Sequence, residues 1–365
     1  MTTRIRNVRL AFAASKNSNH PVDVVFDAAI TSIRPASDNA MTDGDVDGTG
    51  KFLLPGLIDT HVHLGSSNAL QNAARAGVTT LVDLGTHPDS LIIEQRETIG
   101  APAIVSAGSA ASAPGSTQIT RMGFPSASGV TGATDADRYL DWRVQNGSDL
   151  IKIIIEDPDA TDVPALDNAT LAALVQGAHK RGLMTVAHVV TASAFDRGLD
   201  AGVDILTHAP LDRDLADTTL KQMLRQGTIS SPTLVMMRAM AQVQLGDRAD
   251  EAFQHSVDSV HAMHAAGVPI VAGTDANETP IAPVEHGPSL HDEIAYLQKC
   301  GLTPSEALTA ATSAAADAFG LSDRGRIDIA KRADLVLVDS DPTIEPRILR
   351  HPAAVWIAGV AVETN

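Results

Sequence analysis

The sequence predicts an α/β fold: a TIM-like (β/α)8 barrel with a small β-sandwich domain built from both chain ends. Three observations carry this. Short, continuously apolar segments alternate with helical ones through the middle of the chain, about eight times, the number that closes a parallel barrel buried on both faces. Strand-like segments without helices between them occupy both termini. Histidines and other metal-capable residues fall at the ends of the central apolar segments, where barrel sites lie. The expected division is a composite β domain from residues 1–54 and 324–365, with the barrel spanning 55–323.

Taken in order, Val22–Phe26 and Ala29–Ile33 read as strands, and the Asp-, Gly- and Thr-rich segment from Ser37 to Gly50 as turns. The apolar run from Phe52 leads to His61-Val62-His63. A helix over Asn68–Ala76 stops at Gly77, followed by a β-branched strand, Val78–Leu84. Ala103–Ala107 is a strand before a long Ser/Ala/Gly/Pro loop to about Ala133. The rhythm continues with a helix over Ala136–Asn146, the strand Leu150–Ile155, a helix over Asn168–Arg181 and the strand Met184–His188. Thr191 has the character of a cap for a helix to Ala201. Asp204–His208, a helix to Gln226, Thr228–Thr233, a helix to Ala266 and Pro269–Gly273 complete the series. Thr303-Pro304-Ser305-Glu306 carries the signature of a capping box with proline at the first helical position. Asp334–Val338, Ala354–Ile357 and Val360–Val362 return to strand.

The 365 residues suffice for a large buried core, and 44% hydrophobic with 19% charged residues is globular composition. Aromatics at 3% leave the core to Ala, Val, Leu and Ile. A net charge of −17 disfavours nucleic acid and anionic membranes as partners, since phosphates are repelled. Cys300 is the single cysteine, so an intrachain disulfide is excluded; this fits a cytoplasmic location. Arg9 interrupts the N-terminal apolar residues, leaving too little for a signal peptide, and no run is long enough to span a bilayer. The expected partner is a small-molecule substrate. A homo-oligomer is compatible with the composition but has no motif of its own.

Residues two apart on a strand point the same way, so His61 and His63 deliver two imidazoles to one side. Such a pair alone is weak evidence for a metal. However, His188 ends the fifth strand, His208 the sixth, and Asp275 follows the eighth, while Lys152 sits within the fourth. An ammonium in an Ile-rich strand is costly unless paired or neutralised. Glu156 or Asp157 could pair with it; alternatively its amine captures carbon dioxide as a carbamate, an anionic ligand able to bridge two metals.

These motifs resemble the amidohydrolase superfamily, in particular its imidazolonepropionase-like and prolidase-like branch, over essentially the whole chain. The resemblance rests on Pro55-Gly56-Leu57-Ile58-Asp59-Thr60-His61-Val62-His63, Ala76-Gly77-Val78-Thr79-Thr80, Ile151-Lys152-Ile153, Ala187-His188, Thr207-His208 and Ala272-Gly273-Thr274-Asp275. Ser289-Leu290-His291-Asp292-Glu293, Gly301 to Leu308 and Ala333-Asp334-Leu335-Val336-Leu337 extend it. It implies a site for two divalent metal ions, with zinc the default. His61, His63 and Asp275 would hold the more buried ion, His188 and His208 the more exposed one, and carboxylated Lys152 would bridge them. Three positions depart from the pattern. Thr207 stands where relatives often carry Glu, Ala330 replaces a usual glycine, and the loop Ile119-Thr120-Arg121-Met122-Gly123 lacks the commoner glycine-rich run ending in histidine.

The expected activity is hydrolysis of an amide-type C–N bond, linear or cyclic, by a metal-bridging hydroxide, with Asp275 as general base and acid. Substrates of N-acyl amino acid or dipeptide type fit. A lactonase, an ester or phosphotriester hydrolase, a deaminase, and a scaffold without metals are the alternatives. Deaminases normally lack the bridging lysine, and scaffolds lack several ligands. Arg121, His291 and His87 are candidate substrate-binding residues. Arg143 and His286 are weaker ones, and His261 with His264 reads as a surface pair on one helix face.

Overall fold

Seven strands from both ends of the chain follow one another across a single mixed sheet, with an eighth strand branching from it. They are β1 (Thr3–Leu10), β2 (Val22–Phe26), β3 (Ile30–Pro35), β4 (Asp45–Asp47) and β5 (Phe52–Pro55) from the first part of the chain. The computed structural model describes residues 2–12, 20–37, 41–160 and 162–363. β1 runs antiparallel to β2 and parallel to β5, while β4 adds to β1. The C-terminal strands, numbered last below, attach antiparallel to β5.

β1 and β4 are not singled out by the sequence: Arg4, Arg6 and Arg9 break the apolar pattern of β1, and β4 falls in the Asp-, Gly- and Thr-rich segment read as turns. Arg6 is nevertheless buried. Its guanidinium meets Asp23 at 2.9 Å and Asp45 at 3.4 Å, and donates to the Ser37 hydroxyl at 2.9 Å. Partners far away in the sequence neutralise a charge that locally argues against burial.

The barrel strands are β6 (Leu57–Val62), β7 (Val78–Asp83), β8 (Ala103–Ser106), β9 (Ile151–Ile154), β10 (Thr185–His188), β11 (Ile205–Thr207) and β12 (Ile229–Ser231). They form two parallel sheets, β6-β7-β8 and β9-β10-β11-β12. Backbone hydrogen bonds span both seams. Between β8 and β9, the Ala111 amide donates to the Lys152 carbonyl and the Ile154 amide to the Ala111 carbonyl, both at 2.8 Å. On the other side, Ser230 donates to Pro269, Val271 to Ser230, and Thr60 to Ala272. Residues 269–272 therefore lie between β12 and β6, where the eighth strand is expected. They are not a regular strand, since only Ile270 pairs with Ser230. Pro269 has no amide to give, and the Ala272 amide turns to the Ala310 carbonyl at 3.0 Å.

Helices fill the connections. Asn168–Lys180 is capped by the Asp167 carboxylate, and Pro304–Ala310 has the expected capping box. Two of the described helices escape the sequence pattern: Asp89–Arg96 buries only Ile92 and so shows little periodicity, and the single turn Thr117–Thr120 lies in the segment read as a loop. The single helix expected before Ala266 is two, Leu234–Leu245 and Ala249–Ala266, parted at Gly246 with φ of +51°.

β13 (Leu335–Val338), β14 (Ala354–Ile357) and β15 (Val360–Ala361) complete the end sheet, in the order β15-β14-β13-β5-β1-β2-β3. Phe26 of β2 meets Trp356 of β14 edge-on with centroids 5.6 Å apart, although the two strands stand four places apart in that order. A flat sheet would hold them about 19 Å apart at the usual strand spacing. The sheet therefore curls over a shared core of Ile5, Val24, Leu53, Leu335 and Leu337. Ala330, just before β13, has φ of +70°, the left-handed conformation that explains why glycine is the usual residue there.

Gly56 joins the end sheet to the barrel. Its amide donates to the Asp334 carbonyl, and the next amide, of Leu57, to the Gly77 carbonyl. A Cβ at 56 would stand 2.1 Å from the Thr79 hydroxyl and 2.3 Å from its methyl. Gly56→Ala is expected to cost about 1–3 kcal/mol through overpacking, read as a lower urea midpoint. An unchanged midpoint would contradict this account of the junction.

Candidate metal centre

Backbone pairing sets the first three donors. The His63 amide donates to the Ala276 carbonyl at 2.7 Å and the Asp275 amide to the His61 carbonyl at 2.8 Å, laying Asp275 beside the end of β6. The buried Asp59 carboxylate stitches the same two segments. It accepts from the His61 amide (3.3 Å), the Thr274 amide (3.0 Å) and the Thr274 hydroxyl (2.7 Å). Burial pushes Asp59 up to about 7 against these bonds. One Asp275 oxygen, Oδ1, then lies 2.9 Å from His63 Nε2 and 3.4 Å from His61 Nε2. His61, His63 and Asp275 each offer a donor atom within 4.8 Å of the others, a spacing that suits a single cation.

The later histidines continue the cluster. His208 follows β11, and its amide donates to the Ser231 carbonyl at 3.0 Å. Ring centroids step from His63 to His61 at 5.3 Å, from His61 to His208 at 5.0 Å and from His208 to His188 at 4.5 Å. His208 Nδ1 lies 2.8 Å from the Thr233 hydroxyl. Burial, reinforced by the Lys152 charge, takes His188 down to about 3. Burial also holds His61 and His208 well below their usual value. All three are thus neutral, the state in which imidazole ligates a metal. Among the described residues, His61 Nδ1 is buried without a hydrogen-bond partner. A neutral buried ring with an unsatisfied nitrogen, beside the Asp275 carboxylate, fits a divalent ion.

Lys152 is 2% exposed on β9, and its amine donates to the Thr207 hydroxyl at 2.8 Å. Thr207 in turn donates to the Ala187 carbonyl at 3.2 Å. Among the described residues no carboxylate reaches ion-pair distance of Lys152. Asp157, one of its two expected partners, accepts from Thr191 instead. Burial pulls the Lys152 amine down to about 7, opposed by the charges of Asp275 and Asp83.

The remaining candidates are placed as follows. His87 Nε2 lies 3.0 Å from the Met122 carbonyl, and its ring meets Phe124 edge-on at 5.1 Å. Phe124 and His63 both close on Gly85, where a Cβ would come within 3.3 Å and 2.7 Å of them. The loop bearing exposed Arg121 therefore reaches the mouth through Phe124. His286 Nε2 lies 3.1 Å from the His63 carbonyl. His291 is buried, with Nε2 2.9 Å from the Ala76 carbonyl at the end of helix Ser67–Arg75. Arg143 is fully committed, gripping Asp89 with both terminal nitrogens at 2.9 and 3.0 Å. A cleft at the opposite end of the barrel, lined by His179, Asp204 and Thr228 among others, holds none of the six converging residues.

Sequence reasoning missed Asp59, Thr207 and Thr233 as supporting groups. The available signal was a polar residue embedded in an apolar strand or beside a histidine.

The family profile of the amidohydrolases matches residues 52–362. The chain belongs to the amidohydrolase family, whose members are metal-dependent hydrolases. Among solved structures it resembles a Xaa-Pro dipeptidase with TM-score 0.85 and 20% identity, each chain covered completely. Molinate hydrolase gives 0.82 and 20%, covering 100% of this chain and 95% of that one. These likenesses concern the fold. An uncharacterized protein of Mycobacterium tuberculosis is 29% identical over 337 residues, 85% of each chain. The imidazolonepropionase of Alteromonas mediterranea is 42% identical over 88 residues, 24% of this chain and 20% of that protein. Among the described residues, no helix is long and apolar enough to cross a membrane.

Two outcomes follow from this geometry. Thr207→Val strips Lys152 of its hydroxyl partner and is expected to cost the metal-free protein about 1–3 kcal/mol in urea unfolding, while Thr207→Ser costs less than half of that. Equal stability of Thr207→Val and wild type would contradict the dependence of Lys152 on that hydroxyl. His291 is held down to about 4 by burial, so it stays neutral in the fold while the unfolded chain takes up a proton near 6.5. Its contribution is intact above about pH 6.5 and is lost as pH falls toward 4, by up to about 3 kcal/mol. His291→Gln should flatten the acid limb of a stability–pH curve by up to one proton; an unchanged slope would contradict the burial of a neutral ring.

Proposed function

We propose that this protein hydrolyses an amide-type C–N bond in a small substrate at a two-metal centre in the barrel mouth. The observation that carries the proposal is the unbroken series His63–His61–His208–His188, at successive centroid spacings of 5.3, 5.0 and 4.5 Å, with Asp275 against its first two rings. His61, His63 and Asp275 would hold one ion and His188 and His208 the other. Lys152 would supply a further anionic ligand once its amine nitrogen bonds to the carbon of carbon dioxide and releases a proton. An amine drawn to about 7 is about half unprotonated near neutral pH, and the neutral form can make that attack. Zinc suits this set of imidazole and carboxylate donors.

Bound ions of this kind supply a water acidified to near neutrality and an electrophilic grip on the substrate carbonyl. Asp275 receives the proton of the attacking water on a carboxylate oxygen and returns it to the departing nitrogen. Its place between two imidazoles keeps that oxygen at the reacting centre. The wall next to His63 is apolar, made by Phe124 with Ala110 and Ile154, and it keeps water from that side of the mouth. Arg121 and His87, on segments that meet at Met122, are the substrate-side polar groups. His291, bonded to the Ala76 carbonyl just ahead of β7, lies toward the other end of that strand and is not placed with them. Residues 1–54 with 324–365 form the unit that anchors the barrel spanning 55–323.

Metal-loaded protein should cleave members of a panel of N-acyl amino acids, dipeptides, cyclic amides and lactones. Chelation should abolish the activity and added zinc restore it. Asp275→Asn is expected to lower kcat by about 10²–10⁴ with metal content largely retained. Turnover preserved in Asp275→Asn, or cleavage of lactones with no amide cleaved, contradicts the assignment.

A further inference from the structure

Helix Leu234–Leu245 begins with an anomaly. Thr233 occupies the position before its first turn, where a threonine hydroxyl usually accepts a first-turn amide. Here it makes no such bond. Its φ of +46° is a left-handed conformation that a β-branched residue rarely adopts, and its hydroxyl points instead to His208 Nδ1 at 2.8 Å.

The amides left bare are capped from elsewhere. Glu293, on helix Pro288–Lys299 and 0% exposed, accepts from the Leu234 amide on Oε1 (3.0 Å) and from the Val235 amide on Oε2 (2.9 Å). Burial pushes Glu293 up to about 8, opposed by these bonds. With both oxygens accepting from amides at a helix N-terminus, the geometry is that of the carboxylate, which satisfies two of the orphan donors and the helix dipole together. Glu293 therefore does the work that the Thr233 hydroxyl would otherwise do, and the hydroxyl is released to the imidazole. For Nε2 of His208 to present a lone pair, Nδ1 must carry the proton and the Thr233 oxygen must accept it.

We infer that Glu293 is a positioning residue for His208: by capping helix Leu234–Leu245 in place of Thr233, it holds the threonine hydroxyl against Nδ1 and fixes the tautomer in which Nε2 faces the mouth. The placement of the hydroxyl stands on geometry alone, whereas the choice of tautomer rests on the two-metal reading, since a threonine hydroxyl can either accept from or donate to Nδ1. Three components far apart in the chain thus act in series, from the carboxylate through the helix start to the imidazole.

The test uses full-length protein with 15N-labelled histidine, stripped of metal, with the His208 signal assigned by its loss in His208→Gln. Wild type is expected to show His208 protonated at Nδ1 and bare at Nε2. Glu293→Gln sets an amide group against a helix amide, and Thr233→Val removes the acceptor; both should shift His208 to a mixture of tautomers, while Thr233→Ser matches wild type. In zinc titrations of the same proteins, the second ion should bind about 10–100-fold more weakly in Glu293→Gln and Thr233→Val, with the first ion little changed. A folded Glu293→Gln with wild-type His208 signals and wild-type second-ion affinity overturns the proposal. So does an Nε2-protonated His208 in wild type, which needs no variant to fold. If wild type takes up no metal yet the tautomer shifts as stated, the positioning role stands and the two-metal reading fails.

Discussion

The costliest group in this barrel is the amine of Lys152, buried on β9 with a threonine hydroxyl as its hydrogen-bond partner. Four imidazoles and the Asp275 carboxylate crowd the same mouth. Placing an unpaired ammonium there carries a desolvation penalty of several kcal/mol, which hydrophobic packing around it does not recover. The proposed pair of cations, with the lysine converted to an anion, would relieve this: neutral rings would become ligands, and the misplaced base a bridge.

Strain accumulates at the same place. His208, Asp275 and Thr233 all have φ between +46° and +77°, although none is glycine. His208 and Asp275 are the donors that follow β11 and the eighth barrel segment. Each is turned sharply out of its strand direction, and the surrounding bonds hold it there: Ser231 and Thr233 for His208, and His61 with the Asp59–Thr274 clasp for Asp275. Strain held by over-determined bonding at a cluster of donors is the signature of a preorganised site.

Much of this was legible in the sequence, and the parts that were not share a cause. The barrel rhythm and the six proposed donors could be read because each depends on local spacing: one residue between strand histidines, one polar residue ending an apolar run. The supporting groups depend on contacts between distant segments. Asp59 was visible inside a motif, but its hold on Thr274 lies 215 residues away. Glu293 caps a helix that begins 59 residues earlier. Arg143, considered for substrate, is spent on Asp89, and β1 stayed hidden because its buried arginine finds partners across the sheet. The eighth barrel segment read as a strand from its apolar residues, whereas its backbone bonds are divided between β12, β6 and Ala310.

Anomalous diffraction at the zinc edge from crystals grown with zinc and bicarbonate addresses the two-cation claim most directly. The account predicts two peaks about 3.5–4 Å apart, one among His61, His63 and Asp275 and one by His188 and His208, with density extending from the Lys152 nitrogen between them. A single peak, peaks outside this mouth, or a bare lysine amine still bonded to Thr207 with no ion beside it would contradict the account.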